Sequence, residues 1–176
     1  DFAWLDAVVD SLLEIGIQPW FNLGYDNKLY FPEKPDEQSV GWAPVFKPQQ
    51  QDAWLRFVSQ IARHFRDRVR HWEIWNEPNI PQFWKPRKPN PDDYVKLVRM
   101  TAPEIRRQVP GAVIIGGALA GIPFDYIHGC LEAGLAGLVD VISYHPYRAV
   151  PEAGYEAEVG KLRQMIARYN SKISLL

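Results

Sequence analysis

Cysteine is almost missing from these 176 residues. A single thiol, Cys130, excludes an internal disulfide and any zinc site built on several thiolates, and it leaves the redox compartment undetermined. An excess of charge is missing as well. Twenty Lys and Arg stand against 21 Asp and Glu, so no positive field recommends a nucleic acid or an anionic membrane surface as partner. No apolar run approaches the roughly 20 residues that cross a bilayer. The opening DFAWLDAVVDSLL carries aspartates where a signal peptide has a basic segment, and it reads like the middle of something longer. Cytoplasm, periplasm and exterior all remain open. No GxGxxG or GxxxxGK[ST] follows any apolar run, which removes the usual support for nucleotide binding. His64, His71 and His128 show no metal-ligand spacing; neither a metal nor an organic cofactor is called for.

Aromatic residues, by contrast, are plentiful: seven Trp, eight Tyr and eight Phe. Several of them (Tyr25, Trp42, Phe83, Trp84 and Tyr147) fall in loop-like stretches, where they read as exposed platforms or as caps over a core. Apolar residues at helical spacing predict helices over 2 to 15, stopped by Gly16, and over 52 to 67. Further helices are predicted over 92 to 109, 124 to 133 and 155 to 169; Pro103 should kink or interrupt the third. Between these lie strand candidates: IQPWFNL (17 to 23, weakened by Pro19), a run from His71 to Asn76, AVIIGG (112 to 117), 138 to 144, and KISLL at the end. Residues 24 to 50 and 78 to 91 read as long loops, and loops of that length are usually functional or disordered.

Strand alternates with helix throughout, the pattern of a parallel sheet with helical crossovers. That leaves a doubly wound sheet or a (β/α)8 TIM barrel, and the missing phosphate loops favour the barrel. A complete barrel takes about 250 residues and eight strands. Five strands with an orphan helix ahead of the first are therefore expected to be a barrel fragment, residues 1–176 forming one partial domain truncated at both ends.

Barrel active sites lie at the carboxyl ends of strands, which directs attention to WEIWNEPN, residues 72 to 79. Period-two alternation puts Glu73, Trp75 and Glu77 on one side and Trp72, Ile74 and Asn76 on the other. Glu77 should then face the mouth, with Glu73 deeper inside, joined to an internal hydrogen-bond network as buried charges normally are. A carboxyl at the strand tip beside aromatic surface is partly desolvated, which favours its protonated form and suits a general acid. Asn76, able to donate and to accept, can hold a hydroxyl or a neighbouring carboxylate. Pro78 ends the ladder. The fourth strand ends in SYHPYR, whose His145 and Tyr147, two positions apart, can share a face.

WEIWNEPN and SYHPY together resemble the retaining glycoside hydrolases of the large (β/α)8 clan, in particular glycoside hydrolase family 39, and LLEIGIQPWFNLG is similar to that family's passage into strand three. The resemblance covers essentially the whole chain. It implies that the strands present are three to seven, with Glu77 as the acid/base glutamate and Asn76, His145 and Tyr147 in support. It also implies a β-linked oligosaccharide or polysaccharide as partner. Tyr25, Trp84 and Arg148 are further candidates for substrate contact. The family's nucleophile, a glutamate at the end of strand seven, is expected beyond residue 176, so the fragment alone should lack efficient activity. The competing expectation is a non-catalytic carbohydrate-binding barrel that kept the cleft and lost the nucleophile. Sugar identity, endo or exo action and oligomeric state are not legible.

Overall fold

The computed structural model describes residues 1–36 and 39–176; residues 37 and 38 of the expected long loop lie outside the described residues. Among the described residues five α-helices and five strands alternate. Helix α1 (Ala3–Glu14) leads into β1 (Trp20–Leu23), followed by α2 (Pro48–Phe65), β2 (His71–Ile74), α3 (Pro91–Gln108) and β3 (Val113–Ala120). After these come α4 (Phe124–Glu132), β4 (Val141–His145), α5 (Tyr155–Ala167) and β5 (Ser174–Leu175). All five strands are parallel, and their order across the sheet is their order in the chain. A doubly wound sheet reverses that order at a switch point and carries helices on both faces. Here no reversal occurs, and α2 packs on α3, α3 on α4 and α4 on α5. The sheet is an arc of a barrel wall with its helices in a single outer layer.

Local chemistry accounts for most element boundaries. Helix α3 begins at Asn90, whose side-chain oxygen accepts from the N–H groups of Asp92 and Asp93, with Pro91 in the first turn where its missing N–H costs nothing. Of the kink or interruption expected at Pro103, the interruption does not occur, the helix running through it to Gln108. Strand β1 starts only after Pro19, later than the predicted Ile17, as a residue without an N–H cannot join the ladder. Strand β3 runs three residues past the predicted end. One extra residue is absorbed between Gly116 and Leu119, where Gly117 (φ 109°) and Ala118 (φ 44°) form a bulge against β4. A side chain at Gly117 would meet the Ser143 carbonyl at 2.5 Å, so the bulge requires glycine there.

The outward face of the sheet holds the core: Leu23, Trp72, Ile74, Ile114 and Ile142 are buried against Val58, Leu97, Val98, Ile127 and Leu162 of the helices. Strand register aligns Asn22, Glu73, Ile115, Val141 and Ser174 in one layer of the inward face. The two expected long loops are joined to each other. Ala43 N–H donates to the Lys85 carbonyl at 2.8 Å and Lys85 N–H to the Gly41 carbonyl at 2.7 Å, making a short parallel bridge. A buried Lys34–Asp26 ion pair and a bond from Trp42 N–H to Asp26 Oδ2 (2.8 Å) anchor the first loop beneath that bridge. No described helix is long and apolar enough to cross a membrane.

Candidate active site

The alternation expected through WEIWNEPN fails at Trp75. Strand β2 ends at Ile74, and both Trp75 (φ 71°) and Glu77 (φ 46°) adopt left-handed backbone. Trp75 N–H still reaches the Leu23 carbonyl at 3.0 Å, but the left-handed turn sends its indole away from Glu73, to the outer side. There it lies edge-on to Trp54 of α2 (5.8 Å), to Trp84 (6.0 Å) and to Tyr25 (5.6 Å), and its Nε1 donates to the Phe83 carbonyl at 2.7 Å. Non-glycine residues in this region cost about 1–3 kcal/mol each and persist where the surroundings over-determine them. Such residues cluster at functional sites, and here two of them bracket Asn76.

Glu77 is held from both ends. Its N–H donates to the Ala118 carbonyl of the β3 bulge at 2.8 Å. Its Oε1 lies 2.9 Å from His145 Nδ1 at the end of β4. An ionised carboxylate only accepts, so Nδ1 is the donor in that bond. Among the described residues Oε2 has no hydrogen-bond partner. The Glu77 side chain is 13% exposed and that of His145 32%, a partly dry pair still open to an incoming ligand. Asn79 fixes the floor beside them with a reciprocal pair of bonds to Ala120: its Nδ2 to the carbonyl (3.0 Å), its Oδ1 from the N–H (2.9 Å).

The other candidates divide. Tyr25 comes to the site: burial, followed by the negative charge of the nearby Glu77, raises its pKa. Its ring stacks on Phe83 at 5.6 Å with a 14° tilt, so the two loops meet as an aromatic wall. Tyr147 stands 89% exposed, its ring 6.4 Å from that of His145. Arg148 turns away to α5, where its Nη2 donates to Glu158 at 3.0 Å and its guanidinium lies over Tyr155. Trp84, one of the loop aromatics read as either platform or core cap, is fully buried between Trp75, Phe46 and Tyr94 and offers no platform for substrate contact.

Three supporting residues escaped sequence reasoning. Asn22 donates through Nδ2 to Glu73 Oε2 and to the Trp75 carbonyl, both at 2.8 Å. Ser143 donates to Glu73 Oε1 at 2.6 Å and accepts from Ala118 N–H at 2.8 Å. Tyr94 of α3 donates to the Ile74 carbonyl at 3.1 Å and accepts from Gly117 N–H at 2.6 Å. Each partner lies 20 to 70 residues distant in sequence. Only Tyr94 gave a signal, being a polar-tipped residue on an apolar helix face.

The family model for glycosyl hydrolases family 39 matches residues 1–172. The chain is 32% identical over 160 residues to a β-xylosidase of Geobacillus stearothermophilus, covering 84% of this chain and 30% of that protein. It is 28% identical over 161 residues to a β-xylosidase of Caldicellulosiruptor saccharolyticus, again spanning 30% of it. A solved GH39 β-xylosidase from Caulobacter crescentus superposes with a TM-score of 0.77 at 25% identity, over 99% of this chain and 40% of that one. The parallel five-stranded arc is thus part of a (β/α)8 barrel, and the chain belongs to glycosyl hydrolase family 39.

Proposed function

We propose that the chain is the strand-three-to-seven portion of a retaining β-glycosidase, acting on β-linked xylosides or related oligosaccharides, in which Glu77 is the acid/base. The observation that carries this is the 2.9 Å pairing of Glu77 Oε1 with His145 Nδ1 at two strand ends of the barrel mouth. With His145 occupying one oxygen, the proton of the neutral acid sits on Oε2, which faces no described protein partner. In the first step that proton passes to the glycosidic oxygen as the C–O bond breaks and a second carboxylate bonds to the anomeric carbon. In the next, Glu77 removes a proton from water as the water oxygen attacks the same carbon and the second carboxylate departs. Retention requires the two carboxyl groups about 5–5.5 Å apart. Glu73 is committed below the mouth to Asn22 and Ser143, so it does not serve as the nucleophile. On this reading the nucleophile comes from the part of the barrel outside these 176 residues, in keeping with relatives of which the chain spans 30%.

Asn76, next to Glu77 in the chain, supports the ligand beside the acid, and Tyr147 supplies an exposed phenol at the rim. The test is Glu77→Ala in the complete barrel protein. Hydrolysis of substrates with poor leaving groups should fall by about 10²–10⁴-fold, the usual worth of general acid catalysis. The kcat/KM for 2,4-dinitrophenyl β-xyloside, whose leaving group needs no proton, should change far less. Undiminished hydrolysis of xylobiose by the variant would refute the assignment, and carbohydrate binding without turnover in the parent would establish the non-catalytic alternative.

A further inference from the structure

Glu73 is the one buried carboxylate of the barrel face that the proposed chemistry leaves unused. Its surroundings are asymmetric in an informative way. Each of its two oxygens takes one hydrogen bond, Oε2 from Asn22 on β1 and Oε1 from Ser143 on β4. Each partner then makes a second bond to a residue with left-handed backbone. Asn22 uses its other amide hydrogen on the carbonyl of Trp75, and Ser143 uses an oxygen lone pair on the N–H of Ala118. Trp75 and Ala118 are the two neighbours that fix the Glu77 backbone, Trp75 two positions earlier in the chain and Ala118 through its carbonyl, which accepts the Glu77 N–H.

Direction matters in this network. A carboxylate can only accept, so it obliges Asn22 to present its amide nitrogen rather than its oxygen and obliges the Ser143 hydroxyl to donate inward. The Asn22 orientation is the one that the Trp75 carbonyl requires, and the bond to Glu73 tethers the Ser143 oxygen where the Ala118 N–H meets it. Without the carboxylate, Asn22 can flip and place its oxygen against the Trp75 carbonyl, and Ser143 loses the partner that holds its oxygen in line with Ala118.

We infer that Glu73 is a positioning residue for Glu77, holding the strained Trp75 and Ala118 backbone, and with it the Glu77 carboxyl, through Asn22 and Ser143. The inference rests on the reading of Glu77 as the acid/base. It concerns the proton transfers, because delivery to the leaving oxygen and removal from water both depend on where the Glu77 carboxyl sits, and a misplacement of about 1 Å costs about 10²-fold.

The experiment compares Glu73→Ala, Glu73→Gln, Ser143→Ala and Glu77→Ala in the complete protein. The readout is kcat/KM for phenyl β-xyloside and for 2,4-dinitrophenyl β-xyloside, which report the glycosylation step with and without a need for acid. Glu73→Ala is expected to lose about 10²-fold on the phenyl glycoside and only a small fraction of that on the dinitrophenyl one. Glu73→Gln should recover most of the loss. Its carbonyl can face Asn22 while its amide donates to Ser143, whose hydroxyl then turns to Gly116. Ser143→Ala, a smaller perturbation that keeps the carboxylate, should show the same leaving-group pattern at reduced size and serves if Glu73→Ala does not fold. Equal losses on both substrates would overturn the inference, as would a Glu73→Gln no better than Glu73→Ala. If Glu77→Ala itself shows no leaving-group dependence, the acid/base reading fails and the inference with it. If Glu77→Ala shows it and neither Glu73→Ala nor Ser143→Ala does, the positioning role alone fails.

Discussion

Replacing Tyr94 by phenylalanine removes one oxygen atom and nothing else from the outer side of the strained mouth. That oxygen is fully buried at the meeting of β2 and β3, donating to the Ile74 carbonyl at 3.1 Å and accepting from Gly117 N–H at 2.6 Å. The phenyl ring would keep its packing against Trp84, so no cavity larger than the hydroxyl appears. What changes is hydrogen bonding. Leaving a buried donor or acceptor without its partner costs about 1–3 kcal/mol. Two groups are orphaned, in a site too closely packed for water to enter, so Tyr94→Phe should lower the unfolding free energy by about 2–5 kcal/mol. The assay is denaturant unfolding of parent and variant, read from the shift in midpoint at constant slope. A loss below about 1 kcal/mol would show that the bulge satisfies Gly117 in some other way, and the account of Tyr94 as the outer bracket would fall.

Gly41→Ala should be damaging out of proportion to its size, because at φ 90° the new Cβ would stand 2.5 Å from Phe83 Cα and 2.7 Å from the Gln82 carbonyl. The backbone strain alone is about 1–3 kcal/mol; the bridge to Lys85 must also part, which should lower the thermal midpoint and raise KM by disturbing the Tyr25–Phe83 stack. Alkaline stability is a separate expectation. Burial raises the pKa of Tyr94, of Tyr126 and of the Cys130 thiol well above their ordinary values of 10.0, 10.0 and 9.0. Each is neutral when protonated, so the folded state binds protons more tightly than the unfolded one. Stability from these groups is therefore complete below about pH 9 and is lost as pH climbs above 9 to 10, with a slope of up to about 1.4 kcal/mol per pH unit for each group. Urea midpoints at pH 8, 9, 10 and 11 would check it; a flat profile over that range would refute it.

The alternation of elements was legible because it depends on local periodicity and on breakers that act where they stand: Gly16 after α1 and Pro19 ahead of β1. Glu77 was legible for the same reason, since a carboxylate before Pro78 at a strand end is a local feature. What escaped depends on partners remote in sequence. The extension of β3 needs Ser143 to accept the Ala118 N–H, and the two loops close on each other only because Gly41 admits the Phe83 backbone. Trp84 looked like a loop aromatic, yet it is core, because the left-handed turn at Trp75 brings a second indole outward to cover it.

That turn also explains why the octet breaks its own period. Had extended backbone continued, Trp75 would have followed Glu73 onto the inner face, placing an indole where the proposed acid and its ligand would need room. Turning it out costs strain at Trp75, at Glu77 and at Ala118, three residues that other backbone would hold more cheaply. The compensation is visible on both sides of the sheet, Tyr94 binding Ile74 and Gly117 from outside while Asn22 and Ser143 bind Trp75 and Ala118 from inside. A bracket on two faces restrains the peptide planes around Glu77 more tightly than either face could. On the proposed function, a carboxyl that delivers a proton and then removes one from the same place gains directly from that restraint.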